Sequence, residues 1–78
     1  MGEIEEKFIR AFAAKLDILA REASIRAKTQ FEIYEERRNT GYVTAAEMHH
    51  DHYIVNKISQ EVSLNISHAL KEALDEIN

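Results

Sequence analysis

The sequence predicts an all-α protein: a long antiparallel helical hairpin, with helices over about 3–39 and 45–76, that self-associates, most simply into a dimeric four-helix bundle. Three observations carry this expectation. Apolar residues recur at spacings of three and four over two long stretches, which is the helical period. There is no proline, and of two glycines only Gly41 is interior, so one position alone is suited to breaking a helix. The two stretches also carry more apolar surface than a single hairpin can cover.

In the first stretch Ile4, Phe8, Phe12, Leu16, Leu19, Ala23, Ala27, Phe31 and Tyr34 form the stripe. Ile9, Ala13 and Ala20 widen it on one side, Ala11 and Ile33 on the other, and Ile18 and Ile25 lie near its far edge. Glu3–Lys7, Glu6–Arg10, Asp17–Arg21 and Glu22–Arg26 each place the acid before the base by one helical turn, an order that supports a helix by about 0.3 kcal/mol per pair.

The run Asn39-Thr40-Gly41-Tyr42-Val43 interrupts the pattern, with Gly41 placed for a left-handed C-terminal cap. Thr44 and Glu47 then read as a capping box, hydroxyl to the amide of residue 47 and carboxylate back to the amide of residue 44, and Val43 against Met48 reads as a hydrophobic staple. In the second stretch Met48, Val55, Val62 and Ala69, with Ile58, Ile66, Leu70, Ala73, Leu74 and Ile77, line one side. A short link between long helices makes them antiparallel, with facing residue numbers summing to roughly 83. That register sets Phe12 and Leu16 beside Ala69 and Leu70, and Phe8 beside Ala73. Residues 1–78 form a single domain with no internal repeat.

If Phe8, Phe12, Leu16 and Leu19 face the second helix, then Ile9, Ala13, Ala20, Ala27 and Phe31, or Ile18 and Ile25, face water. A chain this small with no disulfide is marginal as a monomer, and a two-fold dimer answers both problems. The expected oligomer or partner interface comprises Ile9, Ile18, Ile25, Phe31, Val55, Val62, Ile66, Leu70 and Leu74.

Composition narrows the function. The net charge is −4, and the whole excess of acid lies in residues 40–78. This opposes non-specific nucleic-acid binding, and the line Arg10, Arg21, Lys28 is interspersed with Glu3, Asp17 and Glu35. Cysteine is absent, so disulfides and thiolate metal sites are excluded. No run reaches the roughly 20 apolar residues of a membrane helix, and the N-terminus lacks a signal-peptide pattern, so a cytoplasmic protein with no membrane partner is expected.

Two clusters carry candidate chemistry. In His49-His50-Asp51-His52, Glu47 and His50 match a Glu-x-x-His string of metal-binding bundles. They project roughly 80° and 140° from the centre of the apolar face, and Glu32, Glu35 and Glu36 on the first helix lie off its stripe. No metal and no cofactor is therefore expected; His52 is placed at the seam edge near Phe31, with His49 and His50 solvated. The second cluster combines Arg37, Arg38 and Tyr42 with the start of a helix, and with His49 and His52 it reads as an anion site. Ser59, Ser63 and Ser67 lack a histidine and acid in triad-like positions, so no enzyme is expected. In topology alone the chain resembles small plasmid RNA-binding helical hairpins that dimerise into four-helix bundles; it shares no motif with them, so the resemblance implies no function.

These readings lead to a non-enzymatic, homo-oligomeric helical hairpin acting as a protein-binding regulator, adaptor or inhibitor. The acidic residues Glu61, Glu72, Asp75 and Glu76 favour a basic partner surface. The alternative is a small-anion binder or sequestering protein, for a nucleotide or phosphorylated metabolite, with its site at the hairpin tip.

Overall fold

The computed structural model describes residues 2–77 as two helices, α1 (Glu3–Asn39) and α2 (Val43–Ile77), packed against each other in a hairpin 58 Å long and 15 by 12 Å across. Gly2 enters α1 in an extended conformation and its carbonyl accepts the Glu6 amide at 3.0 Å. Glu3, Glu5 and Glu6 occupy the first turn and Arg37 and Arg38 the last, the ends where the helix dipole favours each sign of charge. The Glu3–Lys7 and Glu6–Arg10 pairs form, at 3.4 and 3.0 Å. Asp17 and Arg26 do not pair within α1; both turn across to α2.

The turn is tighter than expected. Gly41 takes φ 87°, and the amides of Gly41 and Tyr42 donate to the carbonyls of Arg38 at 3.3 Å and Arg37 at 2.9 Å. These are the two crossed bonds of a Schellman cap. The Thr40 hydroxyl adds a bond to the Glu36 carbonyl at 2.9 Å. With the chain already turned at Tyr42, α2 starts at Val43 rather than Ala45, and the Ala46 amide donates to the Tyr42 carbonyl at 2.9 Å. Thr44 and Glu47 thus sit inside the first turns of α2, and the expected capping box does not form, because Thr44 is itself helical. Val43 and Met48 line one depression beside the turn, and both remain exposed.

The register agrees with expectation, and the inward faces do not. Ser67 meets Ala13 and Asp17, Asn56 meets Arg26, Tyr53 meets Phe31 and His50 meets Tyr34, all within about a turn of the predicted pairing. The face that α1 turns to α2 is Ile9, Ala13, Leu16, Ala20, Ala23, Ala27 and Gln30, with its alanines and Leu16 buried. Across from it α2 presents Ala46, Tyr53, Gln60, Ser67 and Leu74 at intervals of seven, with His49, Asn56, Ser63 and Leu70 between them. Spacings alternating between three and four average about 3.5 residues, the repeat that keeps one seam facing a neighbour over many turns. Phe8 and Phe12, expected inside, are 73% and 48% exposed, and Met48, Val55 and Val62 lie outside as well.

The physical reason is side-chain volume. Alanines let the two backbones approach closely, and the polar side chains of α2 find partners on α1 at that distance. Phenylalanines in the seam would hold the helices apart and strand Ser67 without its acceptors.

The seam therefore has no room for added bulk. Ala20→Leu is expected to destabilise the fold by about 1–3 kcal/mol through overpacking. Ala14→Leu, the same change at an exposed position of α1, should stay within about 0.5 kcal/mol. Urea midpoints of the two variants against the parent check this; equal midpoints would contradict the seam assignment.

Candidate functional site

Cross-helix contacts mark the two edges of the seam. Along one edge lie Asp17 with Ser67 and Lys71, the Phe31 ring 5.1 Å from Tyr53, and the Tyr34 ring 5.0 Å from His50. Along the other, Arg26 Nε donates to Asn56 Oδ1 at 3.0 Å, and His49 Nδ1 lies 2.6 Å from Gln30 Oε1. At about 100° per residue, Phe12, Leu19 and Ile33 share the Arg26 edge, with Phe8 beside them. On α2 the same rotation places Ile66 and Ala73 just outside the Asn56 edge and Met48, Val55, Val62 and Ala69 next to those. Both sets of large apolar residues thus open toward the same side of the hairpin, with Met48, Val55 and Val62 lying farthest round, on the outer face of α2. The opposite side carries Arg10, Arg21 and Lys28 from α1, and the exposed Ile54 with Glu61, His68 and Asp75 from α2.

This apolar side is the candidate functional surface. Phe8, Phe12, Leu19, Met48, Val55, Val62 and Ile66 on it are all exposed. It includes a shallow open groove lined by Val55, Ile58, Ser59, Val62 and Ser63. Of the predicted interface residues, Val55, Val62 and Ile66 lie here, and Leu70 is half-buried at its inner margin. Ile18 and Ile25 are exposed on the back of α1, in line with Ile4 and Ala11. Three others are used within the chain. Leu74 is 1% exposed in the seam, Ile9 is half-buried there, and Phe31 packs against Tyr34 and Tyr53. Phe8, Phe12 and Leu19 were assigned to the intrachain seam by the sequence and take the outer side instead.

The histidines and the tip are arranged differently from expectation. His49 and His50 are the half-buried pair, one bonded to Gln30 and the other against Tyr34, whereas His52 is exposed on the apolar side. The seam passes through residues 46, 49, 50 and 53, which leaves residue 52 outside it. At the tip the Arg37 guanidinium sits 5.7 Å from the centre of the Tyr42 ring. Arg38 is exposed, and the depression beside the turn is lined by residues Gly41, Tyr42, Val43, Thr44, Ala45 and Met48, with neither arginine in its wall. Arg37, Arg38, Tyr42, His49 and His52 therefore do not line a common pocket. Among the described residues, no three of His, Asp and Glu converge on a metal position, and no helix is long and apolar enough to cross a membrane.

One polar cluster was not read from the sequence. Ser67, 0% exposed, donates to Asp17 Oδ1 at 2.6 Å, with the Ala13 carbonyl a longer alternative acceptor at 3.2 Å. Lys71 Nζ reaches the other carboxylate oxygen at 2.7 Å. The signal that could have found it is the seven-residue line from Ala46 through Ser67 to Leu74, which passes over hydrophobicity. The bond from Lys71 and then that from Ser67 hold the Asp17 carboxyl below its ordinary value of 3.8, aided by the positive charge of Lys71 and by His68, while desolvation opposes.

No protein-family model matches the chain, and neither a curated protein nor a solved structure matches it.

A carboxyl with a lowered folded pKa stabilises the fold above its unfolded value and stops doing so as pH falls through the folded one. The Asp17 contribution is therefore expected in full at neutral pH and lost progressively below about pH 3.8. Urea midpoints at pH 7, 5 and 3 should fall less steeply on acidification in Asp17→Asn than in the parent. Parallel curves would show that Asp17 contributes nothing to acid sensitivity.

Proposed function

We propose that the protein is a non-enzymatic, homo-oligomeric helical hairpin that acts by binding another protein, as a regulator, adaptor or inhibitor. The observation that carries this reading is the display of Phe8, Phe12, Leu19, Met48, Val55, Val62 and Ile66 outside a seam of small residues. Large exposed apolar patches are unusual on monomeric soluble proteins and mark surfaces that something else covers. Two hairpins that bury this side against each other form a four-helix bundle.

In that assembly Ile18 and Ile25, on the back of α1, stay outside, and so do Glu61 and Asp75 on the polar side of α2. Ile18 and Ile25 supply an apolar contact flanked on α1 by Lys15, Arg21, Glu22 and Lys28, while the acidic residues of α2 favour a basic partner surface. The tip carries a weaker case for ligand binding, because its depression is walled by Val43, Ala45 and Met48 rather than by the arginines.

Sedimentation equilibrium tests the reading. The parent is expected at twice the chain mass at micromolar concentration. Val62→Glu places a carboxylate among the exposed apolar residues of α2, with helix formation unimpaired, and should weaken association by at least about tenfold, or about 1.4 kcal/mol. A parent that stays monomeric would overturn the proposal.

A further inference from the structure

We draw no further inference here: the strongest candidate, the apolar side of the hairpin around Phe8, Phe12, Leu19, Val55 and Val62, carries nothing beyond the reading above, because nothing in the structure shows what covers it.

Discussion

The close approach of two helices across an alanine seam is the constraint on which the rest of this structure depends. Ala13, Ala20, Ala23 and Ala27 bring α1 and α2 together with little side-chain volume between them. Each buried alanine removes only a small area from water, so the seam supplies little hydrophobic stabilisation for its length. Leu16 and Leu74 are buried with the alanines, whereas Phe8, Phe12, Val55 and Val62 remain outside. A weakly apolar interior and a strongly apolar exterior thus follow from one choice of residue size.

A seam of small residues is permissive about register, because alanines slide past one another without a steric penalty. Polar contacts remove that freedom. Ser67 bonds to Asp17, Arg26 to Asn56, and His49 lies against Gln30, at points spread along the hairpin. Among the described residues, no buried side-chain polar atom lacks a partner. Sliding by one turn would break these contacts together and leave Ser67 buried without an acceptor, which is costly in a dry interface. The Schellman cap at Gly41 acts with them, since it sets the point at which the chain reverses.

These contacts also make the two sides of the hairpin different. The Asp17–Ser67–Lys71 cluster and the aromatic group of Phe31, Tyr34, His50 and Tyr53 occupy one edge, and their neighbours are charged. The Arg26–Asn56 and Gln30–His49 pairs occupy the other, and their neighbours are apolar. A hairpin with one polar and one apolar side is suited to association, and in the proposed dimer its stability would be linked to that association.

The sequence by itself determined the two long helices, the single turn at Gly41, the antiparallel register and the presence of surplus apolar surface. Those are local or additive properties: helical period, one residue able to adopt a positive φ, a short link and a count of apolar side chains. It also made Ile18 and Ile25 legible as outward residues. Only the tertiary structure decided which stripe of α1 turns inward, reversing Phe8 and Phe12 with the alanines and drawing Leu74 and Ile9 into the seam. It likewise moved the half-buried histidines from His52 to His49 and His50 and started α2 at Val43. The apolar sector of α1 is wide enough to offer two faces, and hydrophobicity does not rank them. The ranking comes from how closely two backbones can approach and whether polar groups on one helix meet partners on the other, and both are properties of the pair.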